Sequence, residues 1–360
     1  MVLPSLFSRV PAVAVPDRKG KMQQFEPAMR RALELALQGP AHGVNPQVGA
    51  VILDPELNIV AEGYHHGSGT PHAEVNAISA LKERLFYPFP PGYTAVVTLE
   101  PCNHTGKTGP CSQALLNAGI TRVVYASADP GDASSGGAER LRNAGVDVIS
   151  GLLLAEAEDQ GRVWLTANRL QRPFVTLKWA SSLDGRVAAT DGSSKWISGE
   201  ESRSEGHFRR SQVDAILVGT GTAIADDPEL TARMPDGSYY DHQPLRVLLG
   251  ERDVPADSRV FNDKAETLVL KTRSIHGALA ELWARGVKHL WVEGGPNVAS
   301  RFVKFGLVDE FIIYLAPMLL GGDKTSIRDL GIESIDQALQ LEILEQKMLG
   351  PDVFLRARRK

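Results

Sequence analysis

Four residues in the first third of the chain have the types and spacing of a hydrolytic metal site. His72 and Glu74 stand two positions apart before a helical pattern, and Cys102 and Cys111 are the only two cysteines in 360 residues. One imidazole and two thiolates are typical zinc ligands, and three protein ligands leave the fourth tetrahedral position open, as in catalytic sites. We predict one Zn²⁺ per chain, held by His72, Cys102 and Cys111.

Glu74 indicates what this zinc site would do. Zinc lowers the pKa of water from 15.7 toward about 7. His-x-Glu followed by Pro-Cys and a second Cys resembles the pattern of zinc deaminases, in which such a water attacks a ring carbon that bears an exocyclic amine. Glu74, which is not a ligand, would take the water proton and pass it to the ring nitrogen and the leaving ammonia. Side chains two apart in mid-helix point about 200° apart. His72 is therefore predicted at or before the first helical turn, and Cys111 at the start of the next helix.

Alternatives to this catalytic site remain open at this point. A structural zinc would be closed by a fourth ligand, for which His104 is the candidate, and the two cysteines could also be an unmetallated buried pair. Within enzymes, the competing hypothesis is a guanine, cytidine or tRNA adenosine deaminase with an unrelated C-terminal domain. A zinc-stabilised binding module is the competing hypothesis from another class.

Composition predicts a soluble two-domain enzyme acting on a small molecule. The length is about twice that of one domain, with 43% hydrophobic and 23% charged residues. The net charge is −4 and basic residues are scattered, which argues against a nucleic-acid partner. No apolar run approaches the roughly 20 residues of a membrane span. The N-terminus fits a signal peptide poorly, so we expect a cytoplasmic enzyme, with Met22 as an alternative start. The basic cluster 356–360 is expected to be a solvated tail.

Hydrophobic periodicity predicts two consecutive α/β domains. In the first half, helices are predicted at 26–38, 73–84, 112–118, 138–144 and 153–170, and strands at 48–53, 58–63, 93–99, 122–126 and 146–150. Arg172-Pro173 marks the boundary. In the second half, strands are predicted at 173–180, 215–219, 245–250, 267–270, 288–295 and 310–317, and helices at 202–210, 275–285 and 297–305.

Longer motifs carry a resemblance to a known family. The first half contains NPQVGAVI, EGYHHGSGTPHAE and TLEPCNHTGKTGPC, with eight residues between the cysteines where most deaminases have two. The second half contains LKWASSLDGRVA, SKWISG, VDAILVGTGTAIADDPELTAR and VEGGPNVASRFVKFGLVDEFIIYLAPMLLGG. Together they resemble the bifunctional deaminase-reductase of riboflavin biosynthesis, over residues 25 to 355. The long cysteine spacing and the second set of motifs argue against the other deaminases.

The resemblance implies both fold and reactions. It implies an α/β chain with a cytidine-deaminase-like three-layer domain over 25–170 and a dihydrofolate-reductase-like α/β domain over 171–360, while the composition of residues 1–24 predicts a flexible extension. The first domain would deaminate a phosphorylated diaminopyrimidine, and the second would reduce the ribosyl group to ribityl with NADPH. Folds of this type often associate into homo-oligomers.

The resemblance also implies site residues. The deaminase substrate would be surrounded by Asn45, His65, Glu74, His104, Lys107, Thr108 and Asp129. NADPH would be contacted by Ala180, Trp196, Thr222, Asp226 and the segment Gly295, Pro296, Asn297, Val298, Ala299, Ser300 and Arg301. The reductase substrate would be contacted by Lys178, Ser194, Arg210, Leu230, Arg233 and Glu293. From residues alone, only the turn at Gly294-Gly295-Pro296 indicates phosphate binding, because backbone N–H groups at a helix start can meet an anion.

The chain departs from the family at four places. Ala50 stands where the family has Cys, Gly109 where it has Pro, and Gly250 where it has Asp, while 129–132 reads Asp-Pro-Gly-Asp in place of Asp-Pro-Asn-Pro. Gly131 thereby lacks a side chain expected near the substrate, and Gly250 lacks one expected near the cofactor. None of these departures touches the predicted zinc ligands.

Overall fold

The computed structural model describes residues 22–105, 109–131 and 134–360. The predicted substrate residues Lys107 and Thr108, and residues 1–21 of the predicted extension, lie outside these ranges. Met22 is partly buried and packs against the first hydrophobic core. Over the described ranges, no helix has the length and apolar character needed to cross a membrane.

The first sheet has five strands in the order β2-β1-β3-β4-β5. Strands β2, β1 and β3 are antiparallel neighbours, whereas β3, β4 and β5 run parallel. Parallel strands place their carboxyl ends at one edge of a sheet, where loops can meet. The bounds are β1 Gly49–Leu53, β2 Ile59–Tyr64, β3 Thr94–Leu99, β4 Arg122–Ser127 and β5 Asp147–Ser150.

Helices cover both faces of this sheet, which confirms the predicted three layers. Alternate strand residues point to opposite faces: Val51 and Leu53 pack under α1, and Ala50 and Ile52 pack under α2. The helices α2, α3 and α4 share the second face. Their bounds are α1 Glu26–Ala36, α2 Ala73–Lys82, α3 Cys111–Asn117 and α4 Gly137–Asn143.

The second sheet has eight strands in the order β12-β13-β11-β6-β10-β7-β8-β9. The strands from β11 to β9 are parallel, and β13 and β12 are added antiparallel at one edge. The bounds are β6 Phe174–Ser182, β7 Ala215–Gly219, β8 Leu245–Leu249, β9 Thr267–Leu270, β10 His289–Val292, β11 Glu310–Ala316, β12 Leu341–Leu349 and β13 Asp352–Arg359.

Two helices bury their apolar faces on one side of the second sheet. Ile275, Leu279 and Leu282 of α9, with Phe302 of α10, form a core with the strands. On the other side, Trp291, Ile312 and Phe354 belong to a second core. The remaining bounds are α5 Leu154–Gln160, α6 Arg162–Leu170, α7 Glu200–Arg210, α8 Thr220–Asp226, α9 Ile275–Ala284 and α10 Pro296–Lys304.

Two secondary-structure predictions were wrong. The helix predicted over 153–170 is divided at Gly161, which ends α5 and precedes α6, in keeping with the poor helix propensity of glycine. The cluster 356–360 is not a solvated tail, because β13 runs to Arg359 between β11 and β12. Arg356 lies 3.3 Å from the buried carboxylate of Glu310, and Ala357 is in the core. The alternating pattern of 352–357 was the overlooked signal.

Candidate active sites

The predicted zinc ligands meet in the folded chain. The imidazole Nδ1 of His72 lies 3.2 Å from Cys111 Sγ and 3.6 Å from Cys102 Sγ. All three donor atoms lie within 4.8 Å of one another, and no other such group of His, Cys, Asp and Glu occurs among the residues the structure describes. Tetrahedral zinc with ordinary bond lengths would separate its nitrogen and sulfur ligands by about 3.5 Å. The donor set therefore fits a zinc ion.

Local structure explains how residues 30 and 39 positions apart come together. His72 precedes the first residue of α2 and has an extended backbone, as the two-residue spacing to Glu74 predicted. Cys111 is the first residue of α3, and its N–H donates to Cys102 Sγ at 3.4 Å. Cys102 lies in the loop after β3, and its backbone carbonyl accepts from Ser112 N–H at 3.1 Å. The loop and the two helix starts thus converge at the carboxyl ends of β3 and β4.

The two thiols differ in proton affinity when no cation is bound. Contact with the Cys111 thiol and with His72 lowers the pKa of Cys102 to about 4, against the effect of burial. Contact with Cys102 and burial raise the pKa of Cys111. A coordinating thiol loses its proton, so bound zinc would hold both residues as thiolates.

Glu74 lies in the first turn of α2 and is 5% exposed. Burial and the neighbouring Cys102 sulfur raise the pKa of Glu74, while His72 opposes the rise. A carboxylate with a raised pKa takes up a proton more readily at neutral pH, as general acid-base catalysis requires. Glu74 is outside the cluster of three ligand atoms, as predicted for a proton-transfer residue.

Asn45 and His65 form a hydrogen-bonded pair beside His72. Asn45 Nδ2 lies 2.8 Å from His65 Nε2, and His65 Nδ1 lies 3.1 Å from the Pro71 carbonyl. The carbonyl accepts from Nδ1, so Nε2 accepts from Asn45 and the ring is neutral. Burial lowers the pKa of His65, which favours that neutral form. The rings of His65 and His72 meet edge to face, with centroids 5.2 Å apart.

Asp129 lies beyond the carboxyl end of β4 and is 8% exposed. Burial raises the pKa of Asp129, although the N–H of Gly131 donates to its Oδ1 at 2.8 Å. A Cβ at position 131 would meet the Ser134 hydroxyl, which would have to rotate away. His104 is outside the ligand cluster, and its buried Nδ1 has no hydrogen-bond partner among the described residues. The structure therefore does not support the alternative of a structural zinc site closed by His104 as the fourth ligand.

Two residues that organise this loop were missed by sequence reasoning. Glu100 Oε1 accepts from Ala138 N–H at 3.0 Å, which joins the end of β3 to α4. Asn103 Oδ1 accepts from the Ser112 hydroxyl and from Arg140, each at 3.1 Å. Both residues adjoin Pro101-Cys102, so their position next to a ligand was the signal that could have identified them.

The second half contains an open cleft of about 1270 Å³ at the carboxyl ends of its parallel strands. This is the position at which open α/β sheets bind ligands. The predicted residues that line it are Lys178, Ala180, Ser194, Trp196, Arg210, Thr222, Asp226, Leu230, Arg233, Glu293, Gly295, Pro296, Asn297, Val298 and Arg301. Ala299 and Ser300 do not line it. Ala299 belongs to the core, and Ser300 accepts from Arg328 N–H at 2.7 Å.

A buried ion pair lies in the wall of this cleft. Arg210 donates to both carboxylate oxygens of Glu293, at 2.7 and 2.8 Å. Lys178 Nζ lies 3.7 Å from the same carboxylate, and Trp291 Nε1 donates to it at 2.6 Å. Burial alone would raise the pKa of Glu293, but Arg210 and Lys178 hold it well below its usual range.

This pairing involves a predicted substrate residue. Arg210 was predicted to contact the reductase substrate, and its guanidinium is engaged by Glu293 and by the Thr231 carbonyl at 3.0 Å. Arg233 is also paired, with Glu229 at 2.8 Å, but its side chain is 33% exposed. Arg233 is therefore the more accessible of the two arginines to a ligand in the cleft. His207, which sequence reasoning missed, lines the cleft beside both arginines.

The predicted cofactor side is built around glycines. A Cβ at Gly294 would overlap Val298, and one at Gly295 would lie 2.9 Å from Thr222 Oγ1. Helix α10 begins at the next residue, Pro296. The absence of side chains leaves the backbone at a helix start open to the cleft, which suits a phosphate of NADPH.

Position 250 also requires glycine. Gly250 lines the cleft, has φ +143°, and a Cβ there would overlap the Thr220 hydroxyl. The departure from Asp at this position therefore has a steric reason. Five cationic residues that the sequence analysis did not single out also line the cleft: Lys195, Arg203, Arg252, Arg259 and Arg273.

Family models match both halves of the chain. The cytidine and deoxycytidylate deaminase zinc-binding region matches residues 22–127, and the RibD C-terminal domain matches residues 173–355. The riboflavin biosynthesis protein RibD of Mycobacterium tuberculosis is 44% identical over 93% of this chain and 97% of its own length. That of Escherichia coli is 37% identical over 92% of this chain and 98% of its own length.

Solved structures agree with these matches. Form 2 of Acinetobacter baumannii RibD has a TM-score of 0.85 and 32% identity, covering 94% of this chain and all of that one. A diaminohydroxyphosphoribosylaminopyrimidine deaminase/5-amino-6-(5-phosphoribosylamino)uracil reductase from Thermotoga maritima has a TM-score of 0.83 and 33% identity. With a zinc-type deaminase site and a reductase cleft in one chain, this protein belongs to the RibD family of bifunctional deaminase-reductases of riboflavin biosynthesis.

Proposed function

We propose that the two halves catalyse consecutive reactions. Residues 25–170 would deaminate 2,5-diamino-6-ribosylamino-4(3H)-pyrimidinone 5′-phosphate by hydrolysis. Residues 171–360 would reduce the ribosyl group of the product to ribityl with NADPH. The observation that carries the proposal is the cluster of His72, Cys102 and Cys111 ligand atoms within 4.8 Å, next to a buried carboxyl at Glu74.

Glu74 carries the protons of the deamination. When bound, zinc supplies Lewis acidity that favours ionisation of a water near neutral pH. Glu74 accepts one proton of that water and passes it to the ring nitrogen as the oxygen bonds to the ring carbon. It then carries the second proton, from the added hydroxyl, to the amine, so that the C–N bond breaks, ammonia leaves and a ring carbonyl remains. Neutral His65 holds Asn45 at 2.8 Å, which leaves the Asn45 carbonyl oxygen able to accept from the pyrimidine. Asp129, Lys107 and Thr108 complete the proposed contacts.

The reductase half orients two ligands in one cleft. NADPH supplies the hydride, and the protein sets the geometry around the sugar C1′. Gly295 and the start of α10 would bind cofactor phosphate, and Arg233 would bind the ribose phosphate. The Glu293 carboxylate holds Lys178 at 3.7 Å, which places an ammonium donor in the cleft wall.

The test is turnover by the full chain. Incubation with the diaminopyrimidine phosphate and NADPH should release ammonia and consume NADPH. Glu74→Gln should abolish ammonia release, keep zinc, and still consume NADPH when the deaminated intermediate is supplied. The control is Glu26→Gln, an acidic residue in the first turn of α1 that pairs with Arg30 on the surface, and it should behave as wild type. If Glu74→Gln deaminates at the wild-type rate, the assigned proton transfer is wrong.

The proposal extends to setting and assembly. NADPH and a phosphorylated pyrimidine are small, water-soluble reactants, so we place the enzyme in the cytoplasm without nucleic-acid or membrane partners, as a homo-oligomer. Fractionation of native cells and light scattering of the purified protein would test these points.

A further inference from the structure

One loop of the deaminase half is held by Asp214 and His242 of the reductase half and by Trp164 of α6, the helix that leads into that half. Residues 37–48 connect α1 to β1, and the stretch 39–47 of this connection, called here the 39–47 loop, carries Asn45. The preceding residues His42, Gly43 and Val44 each contact groups outside the first sheet and its helices. These contacts therefore act on the three residues immediately before Asn45, which pairs with His65 in the deaminase site.

Asp214 provides the central contact. Its Oδ2 accepts from the N–H groups of Lys288 and His289, each at 2.8 Å, so the carboxylate is fixed by the start of β10. Its Oδ1 accepts the N–H of Gly43. The carboxylate thus bridges the two halves, with two hydrogen bonds on its own side and one to the loop.

The residues on either side of Gly43 are also held. The His42 ring stacks on His242, with centroids 3.5 Å apart and planes 5° apart, and His242 Nε2 donates to the Val213 carbonyl at 2.8 Å. The Val44 carbonyl accepts from Trp164 Nε1 at 2.9 Å, and Trp164 lies on α6, which packs on β6 and β10. Three consecutive residues are therefore fixed by three independent contacts.

We propose that Asp214 and Trp164 are positioning residues for deamination: they hold the 39–47 loop so that Asn45 meets His65. This inference rests on the proposed deaminase function. The path is short, because Val44 is bonded to Asn45 and Asn45 Nδ2 lies 2.8 Å from His65 Nε2. Misplacing a substrate-positioning group by about 1 Å can cost as much as 100-fold in rate.

Asp214 lies far from the reductase cleft, so its proposed positioning role can be tested separately from reduction. Asp214 precedes the first residue of β7, whereas the reductase cleft is lined by residues at the other end of that strand, such as Gly219. Five strand residues separate two points by roughly 16 Å. Reductase kinetics in the same chain therefore report whether a variant at Asp214 has disturbed the fold.

The test uses two conservative variants of the full chain. Asp214→Asn keeps one carbonyl for Lys288 and His289 but turns an amide donor toward the Gly43 N–H. Trp164→Phe keeps an aromatic ring but removes the five-membered part of the indole, together with the N–H that donates to the Val44 carbonyl. Each variant should raise the deaminase KM roughly tenfold, because each loses one hydrogen bond to the loop and a tenfold change corresponds to about 1.4 kcal/mol. The reductase kcat and KM should be unchanged. The control is Asp309→Asn. The wild-type Asp309 carboxylate pairs with Arg172 and accepts from Val175 N–H, but it does not contact the loop.

A double-mutant cycle gives the decisive result. If Asp214 acts through Asn45, Asp214→Asn should have little further effect in an Asn45→Ala background. Additive effects, or a deaminase KM within twofold of wild type in both single variants, would overturn the inference. Failure of the wild type to release ammonia would instead overturn the proposed deaminase function, so the two outcomes are distinguishable.

Discussion

The buried ion pair in the reductase cleft predicts a large cost for removing one charge. Glu293→Gln keeps the shape of the side chain and one carbonyl oxygen, but leaves Arg210 and Lys178 without their counterion. The side chains of Glu293 and Arg210 are only 12% and 15% exposed, so water compensates little. Removing one partner of a buried pair costs about 3 to 5 kcal/mol. We expect the lower end, about 3 kcal/mol, because the amide retains an acceptor.

For a domain of this size, that free energy corresponds to a fall in Tm of about 6 to 12 °C. The assay is thermal unfolding followed by tryptophan fluorescence, with Trp291 next to the mutated carboxylate and deaminase activity as a reference for the other half. The matched control is Glu342→Gln, whose pair with Arg358 is 45% and 55% exposed. Exposed pairs contribute about 0 to 1 kcal/mol. The reasoning is refuted if Glu293→Gln lowers Tm no more than Glu342→Gln does.

The same pair predicts a pH dependence. The pKa of Glu293 is lower in the folded than in the unfolded chain, where it is near 4.5. The carboxylate therefore contributes its full stabilisation above pH 4.5, and the contribution is lost as the pH falls below that value. The difference in unfolding free energy between wild type and Glu293→Gln should be constant at pH 6 to 8 and should shrink at more acidic pH. A difference that grows on acidification would contradict the assignment.

Three further predictions concern both halves. Cys102→Ser should lose zinc, measured by elemental analysis, and ammonia release, while NADPH consumption on the deaminated intermediate persists; retained zinc and full deamination would contradict the ligand assignment. Gly63→Ala should lower deaminase activity at least tenfold, because its Cβ would overlap the backbone of α2, whereas Gly199→Ala makes only ordinary contacts and should match wild type in a coupled ammonia assay. Burial and two neighbouring arginines lower the pKa of His207 to about 4. The unfolded chain therefore takes up a proton at this histidine below pH 6.5 that the folded chain does not, and the free energy of unfolding falls as the pH is lowered from 6.5 toward 4. His207→Gln should lack this part of the fall when Tm is measured against pH.

The metal site was predictable because its ligands are rare residue types in a short motif. With only two cysteines in the chain, few other soft-ligand sites were available. The two-residue spacing of His72 and Glu74 even required His72 to precede the helix, as observed. The cleft of the second half was not predictable in this way, since lysine, arginine and glutamate are common on any surface, and its residues came from family resemblance.

Pairing between distant residues was beyond sequence reasoning. Arg210 was predicted only as a substrate contact, yet it binds Glu293, 83 positions away. The C-terminal basic cluster looked solvated, yet β13 is inserted between two strands. Charge and periodicity report local preference, whereas the partner of a charged side chain depends on which strands the topology places side by side.

The sequence by itself determined the layered α/β class, most strands and helices, and the three residues of the zinc-type cluster, and it predicted Glu74 as the proton carrier. These follow from periodicity, from side-chain chemistry and from spacings within a few turns of backbone. Only the tertiary structure decided that Gly43 and Val44 are held by Asp214 and Trp164, 171 and 120 positions away. Such contacts depend on how two separately patterned units pack, and a hydrogen bond between them leaves no local mark on either segment.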